Sequence, residues 1–238
     1  MSIITGIRGC TFNSKHNDDI GLVMHSKSIE SPPKKKIKET APFMNGSYDF
    51  STVGSNGEIT YSERKITVIF GLPAETKEKL EVLYSKALEW LVDIGKSKLV
   101  FDVIKDYYFM AEVEETSSFE QTMEFGLLTV TFVADPFKSS IDYIGSNIWD
   151  TFNFEEDYLE ESYYNVEGTD EIMVYNPGRT VRPIVYCSVP MTLIQKGKSY
   201  TLSPGDNKIY GFYLTNGKNN LTITGNGIMN FLFRKESL

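Results

Sequence analysis

The sequence predicts a mainly β protein in two parts: an α+β N-terminal domain with one amphipathic helix, then a C-terminal β-sandwich of jelly-roll type. Three observations carry this. Long runs rich in β-branched and aromatic residues recur through the first half, as in "FGLLTVTFVADPF". A single segment has the helical period. Beyond residue 171, short apolar stretches alternate with turn pairs at spacings of roughly 8–12 residues, the signature of a sandwich.

Element by element, "EITYSERKITVIFGL" reads as an extended strand, solvated at its start and continuously apolar through Val68, Ile69 and Phe70. The helix is expected over about residues 75–93, where Leu80, Leu83, Ala87, Leu88 and Leu91 form one stripe. Pro73 stands at its entrance and Gly95 beyond its end, as start and stop signals. "KLVFDV" and "YYFMAEV" flank "IKD" as a hairpin. "FGLLTVTFVADPF" is a strand closed by Asp135-Pro136. The texture then changes, which places the domain boundary near residues 136–142, with domains over 1–137 and 138–238. Residues 150–171, "DTFNFEEDYLEESYYNVEGTDE", hold nine acids and no base and read as an aperiodic acidic lead-in. Turns at Asn176-Pro177-Gly178, Gly197, Pro204-Gly205-Asp206, Asn216-Gly217 and Gly225-Asn226-Gly227 punctuate the strands that follow.

Charge bounds the partners. The chain of 238 residues has a formal net charge of −8. Residues 1–137 carry 15 basic against 20 acidic residues, and residues 138–238 carry 9 against 12. Neither half has the clustered cations that grip a nucleic-acid backbone, so no sequence-specific nucleic-acid binding is expected. No apolar run approaches the ~20 residues of a membrane span, and "MSIITGIRGCTF" lacks a secretory signal, so a soluble protein made in a cytoplasm is expected. Cys10 and Cys187, without CxxC spacing, read as two small buried hydrophobes.

Catalytic chemistry finds no foothold. GxSxG, HExxH, GxxxxGK and GxGxxG are absent, and the chain has two histidines, His16 and His25. His16 beside Asn17, Asp18 and Asp19 reads as a surface turn and not a metal site. The acids Glu155-Glu156-Asp157 and Glu160-Glu161 suit neither a glycosidase pair nor a calcium loop, since neighbours on a strand point to opposite faces and the loop spacing is missing. No catalytic residue, cofactor or metal is assigned. Trp149, Tyr163 and Tyr164 are the candidate platform for a glycan or a protein partner; Tyr158, Tyr210, Phe212 and Tyr213 are further aromatics of the same half. The alternation of Tyr210, Phe212 and Leu214 suits a strand face that fills a core.

In order, "FNSKHNDDIGLVM", "SPPKKKIKETAPFMNGSYDFST", "YSERKITVIF", "ALEWLVD", "KLVFDVIKDYYFMAEV" and "GLLTVTFVADPF" resemble the N-terminal domain of siphophage distal tail (Dit) proteins, over residues 9–137. "VYNPGRTVRPIVYCS" and "LTITGNGIMNFLFR" are similar to that family's galectin-like C-terminal sandwich. The resemblance implies a virion tail-tip component: a hexameric ring joining tail tube to tip or baseplate, letting DNA pass. Implied partners are further copies of the chain, the tail-tube protein, a tail-associated lysin-type tip protein and receptor-binding proteins. A carbohydrate-binding module for host-surface adsorption is the alternative. Stretch 150–171 has no counterpart in the family.

Lys34, Lys35, Lys36 and Lys38 lie behind Pro32-Pro33 and ahead of Pro42, which confine the segment to extended conformation. They are expected on a solvated edge that resists stray pairing, with contact to acids of a neighbouring subunit as the second role.

Overall fold

The computed structural model describes residues 9–55, 57–104, 106–121, 125–144 and 163–238. Two compact units divide the chain, Lys138 ending the first and Ser139 opening the second. In chain order the first carries β1 (Cys10–Phe12), β2 (Lys15–His16), β3 (Val23–Ile29), β4 (Lys38–Glu39), β5 (Tyr48–Asp49), β6 (Arg64–Pro73), α1 (Lys77–Leu91), β7 (Ser97–Phe101), β8 (Tyr107–Gln121) and β9 (Phe125–Ala134). β10 (Lys138–Ser140) spans the division. The second unit continues with β11 (Tyr163–Asn176), β12 (Ile184–Cys187), β13 (Met191–Gln195), β14 (Lys198–Leu202), β15 (Gly205–Asn207), β16 (Gly217–Leu232) and β17 (Glu236–Ser237).

Alternation builds the first sheet. In β9 every second residue from Gly126 to Ala134 is buried, and β6 buries Ile66, Val68, Phe70 and Leu72 on the same face. The two strands pair antiparallel without a slip from Arg64 opposite Ala134 to Pro73 opposite Phe125. Ile69 is half-buried on the other face, so the apolar run at Val68–Phe70 belongs to a one-sided strand and not a fully buried one. Around this pair the antiparallel order is β2-β1-β7-β8-β9-β6-β3. Residues 102–106 connect β7 to β8, with Leu99 opposite Phe109, which makes the expected hairpin. Gly71 is where His25 and Phe125 crowd the backbone: a Cβ there would stand 2.6 Å from His25 Nε2 and 2.8 Å from Phe125 Cζ.

The helix covers the sheet through Leu80, Ala87, Trp90 and Leu91. Its start is set by Thr76, whose hydroxyl accepts from the Lys79 N–H at 3.3 Å. Pro73 ends β6 instead of opening the helix. Trp90, seven residues after Leu83 and so at the edge of the same stripe, is the anchor: its ring meets Phe12 and Phe70 edge-on, and its Nε1 donates to the Phe12 carbonyl at 3.0 Å. That bond ties α1 to β1, 78 residues apart in sequence.

In the second unit one strand organises everything. β16 pairs along its length with β11, from Tyr163 opposite Asn230 to Asn176 opposite Gly217. Its other edge is shared: Thr222–Thr224 pair with β13, and Met229–Leu232 with β12. The changeover falls at Gly225-Asn226-Gly227. Gly225, at φ +154°, faces Gly168, at φ +82°, so both long strands bend at one place. "GNG" is thus a bend within a strand where the sequence suggests a turn between two strands. Likewise Tyr163–Glu171 of the acidic lead-in lie in β11, while residues 150–162 fall outside the described residues. Inward side chains from both halves, among them Val166, Val174, Leu193, Ile223, Met229 and Phe231, share one core.

Replacing Trp90 with Ala is expected to lower the stability of the first unit by about 3–5 kcal/mol, and with Phe by less. Equilibrium urea unfolding followed by circular dichroism measures both.

Candidate functional site

Between β3 and β6 the chain leaves the sheet and returns, and residues 31–63 form an arm. Its base extends the β3–β6 ladder. The Glu30 N–H donates to the Lys65 carbonyl at 3.0 Å, the Ser62 N–H to Pro33 at 2.8 Å, and the Lys35 N–H to Thr60 at 2.9 Å. Lys34 forms a bridge with Tyr61, whose ring meets Phe137 at 5.5 Å. Lys96 fixes the return, its Nζ donating to Glu63 at 2.7 Å and Asp135 at 2.9 Å. Those two hydrogen bonds hold the ammonium in its charged form and raise its pKa.

Farther out, β4 and β5 pair as a short hairpin, Lys38 opposite Asp49 and Glu39 opposite Tyr48. Lys36 lies 3.2 Å from the Asp49 carboxylate. Ser51 works from both ends: its hydroxyl accepts from the Ile37 N–H at 2.9 Å, and its own N–H donates to Asp49 Oδ1 at 2.9 Å. The Ser51 hydroxyl and N–H, with the Lys36 ammonium, hold the Asp49 carboxyl down at about 2.

The structure places all four lysines, Lys34, Lys35, Lys36 and Lys38, exposed along this arm. Pro42, read as part of an extended segment, instead sits in the turn at the tip, closed by the Met44 N–H donating to Ala41 at 3.2 Å. What the sequence reading missed is the apolar surface beside the lysines. Ile37, Phe43, Tyr48, Phe50 and Val53 are all exposed, Phe43 completely and Val53 at 74%. Phe43 also has φ +68°, a left-handed conformation that a bulky residue adopts only under local strain. The signal was present in "APFMNGSYDFSTV": apolar residues scattered through a stretch of turn formers, with no period to bury them.

In the second unit the aromatic candidates separate. Tyr163 faces outward, 63% exposed; Tyr164, next along β11, packs edge-on to Phe231 and belongs to the core. Trp149 and Tyr158 lie outside the described residues. Phe212 and Leu214 are fully buried, but Tyr210 between two turns is 89% exposed and does not share their face. Tyr213 accepts a hydrogen bond on its hydroxyl from Arg182 at 2.8 Å.

His16 caps a short 3-10 helix, its Nδ1 accepting from the Asp18 N–H at 3.2 Å, and its Nε2 lies 3.4 Å from Asp102. Both cysteines are free and buried; burial pushes the Cys10 thiol up to about 12 and makes it inert, while Cys187 Sγ donates to the Ser203 carbonyl. Among the described residues no group of three or more His, Cys, Asp or Glu side chains could hold a metal, and no helix is long and apolar enough to cross a membrane.

Residues 20–134 match the family model described as the phage tail protein RIFT-related domain. This segment, most of the first unit, therefore carries the phage tail domain that the family model describes. Across its length the chain has the fold of the crystal structure of SPP1 Dit (gp 19.1), described as a paradigm of the hub adsorption apparatus in Gram-positive infecting phages. The likeness has a TM-score of 0.66 at 12% identity and covers 98% of this chain and 100% of that one. No curated protein sequence matches the chain. The matched segment contains the whole arm together with β3, β6, α1 and most of the first sheet.

The Asp49 carboxyl is depressed in the folded arm, so its contribution is fully present above the ordinary value of 3.8 and fades as pH falls through about 2. Carboxyl-carbon NMR titration is expected to find it there, and Ser51→Ala to move it back up toward the ordinary range.

Proposed function

We propose that this chain is a phage tail protein, a non-catalytic component of the tail-tip hub that assembles as a six-membered ring through its first unit. In the virion tail it would join the tail tube to the tip or baseplate and leave an opening for DNA. The tail-tube protein, a tip protein of the tail-associated lysin type and receptor-binding proteins are its proposed partners. The observation that carries this reading is the arm: five exposed apolar side chains on a ribbon without a core of its own. An isolated soluble protein gains nothing by holding Phe43 out in a strained conformation; a subunit that lays the arm on its neighbour removes that surface from water. A closed ring also requires two different surfaces on each copy, one to reach and one to receive, and a projecting arm supplies the first. Lys34, Lys35 and Lys38 stand beside the apolar side chains and would meet acids on the receiving copy and set the register, while Lys36 is engaged with Asp49 inside the arm. The net charge of −8 suits an opening through which a polyanion passes without being held.

Sedimentation velocity over a concentration series tests this. The wild-type chain is expected to build toward a six-subunit species. The double variant Ile37→Ser, Phe43→Ser, altering exposed residues only, is expected to need about tenfold more protein or worse for the same association, the equivalent of ~1.4 kcal/mol. Equal association of variant and wild type would count against the arm as the contact.

A further inference from the structure

The acidic balance of the chain conceals a reversal in the second unit. Residues 177–216, which connect the two long strands and contain β12 to β15, carry five basic residues (Arg179, Arg182, Lys196, Lys198 and Lys208) against one acid, Asp206. A local net of +4 stands within a chain of −8. Arg182, Lys196, Lys198 and Lys208 have no carboxylate partner among the described residues.

The same segment holds a fixed aromatic corner. Val181 and Leu214 exchange both backbone hydrogen bonds, at 3.0 and 2.9 Å, which sets Arg182 beside Tyr213. The guanidinium donates to the Tyr213 hydroxyl at 2.8 Å and lies 5.2 Å from the Tyr213 ring centre and 5.8 Å from that of Tyr210. The backbone beneath is locked from the sheet: Gln195, itself buried, donates its amide to the Tyr213 carbonyl at 2.9 Å, and the Tyr200 hydroxyl donates to the Gly211 carbonyl at 3.0 Å. Gln195 is followed directly by the exposed Lys196-Gly197-Lys198 turn, which carries two more cations of the same connecting segment. Tyr210 meanwhile leaves most of its ring in water. A guanidinium without a carboxylate partner among the described residues, set against two tyrosines, one of them open, is arranged to receive something both flat-faced and negative.

We propose that this corner, Arg182 with Tyr210 and Tyr213 and the lysines around them, binds an anionic saccharide chain. The tyrosine ring takes the C–H face of a sugar while Arg182 and the neighbouring lysines take its carboxylate or phosphate. The site is independent of the ring: it lies on the other unit and asks nothing of the arm. A nucleic acid is the less favoured polyanion, because its charge lies on backbone phosphates apart from the flat base, whereas an acidic sugar carries its C–H face and its carboxylate on one ring, as a tyrosine beside a guanidinium requires.

Binding of the full chain to immobilised polygalacturonate, neutral dextran and oligo(dT) at physiological salt tests the proposal. Polygalacturonate is expected to bind saturably, and dextran and oligo(dT) at least roughly tenfold more weakly. Tyr210→Ala and Arg182→Gln, both at exposed positions, are each expected to weaken polygalacturonate binding about fivefold or more, and Tyr163→Ala, in β11 and outside the basic segment, to leave it unchanged. Folding of each variant is checked by circular dichroism. Absence of binding, oligo(dT) binding as tightly as polygalacturonate, or variants that bind like the wild type would each overturn it.

Discussion

The unslipped pairing of β6 with β9 is the constraint on which the rest of the first unit depends. Ten residue pairs in strict alternation fix which side of the sheet is core. The helix can then seat Trp90 on that side, and the arm can leave from β3 and return into β6 at a defined place. Because the ladder continues past Ile29 and Arg64 into the arm, the arm is aimed by the sheet and is not a free tether. The Lys96 link to Glu63 and Asp135 lies where the return strand meets the end of β9, and so closes the base from outside. Exposed ion pairs of this kind are worth at most about 1 kcal/mol; their role is in position more than in stability.

The two units handle exposed chemistry in opposite ways. The first sends apolar side chains outward on a ribbon that leaves them exposed among the described residues, with lysines alongside. The second gathers most of its apolar residues into one core, leaves single ones such as Met173 and Ile228 exposed, and sends out a guanidinium and a tyrosine. One surface suits a stable, dry contact between protein copies, and the other a wet, reversible contact with a soluble polymer. A tail-tip protein that is both a structural joint and an outward-facing surface would use both.

Much of this was legible in the sequence where a period exists. The strand β9, the helix and the even turn spacing of the second half all follow from side-chain alternation or from glycine and proline chemistry. The misses share a cause. The period puts Trp90 on the face of Leu83 and Ala87, but only the third dimension shows Phe12 and Phe70 waiting for it. Gly225 and Gly227 look like a turn because a bend within a paired strand and a turn between strands use the same residues; the pairing of β11 along the whole of β16 decides between them. Tyr163 and Tyr164 look equivalent in sequence, and a period of two puts one in water and one in the core. The arm was visible as lysines and prolines, but its exposed phenylalanine was not, since an apolar residue is read as core until the fold shows nothing to bury it against.

The central claim is that the arm is a subunit contact. An electron cryo-microscopy map of the full chain, at concentrations where it associates, tests it most directly. The account predicts a closed ring of six in which Ile37, Phe43 and Val53 of each copy are buried against the next. A ring closed through other surfaces, with these side chains still in solvent, or a chain that stays single with its arm folded onto its own sheet, would contradict it.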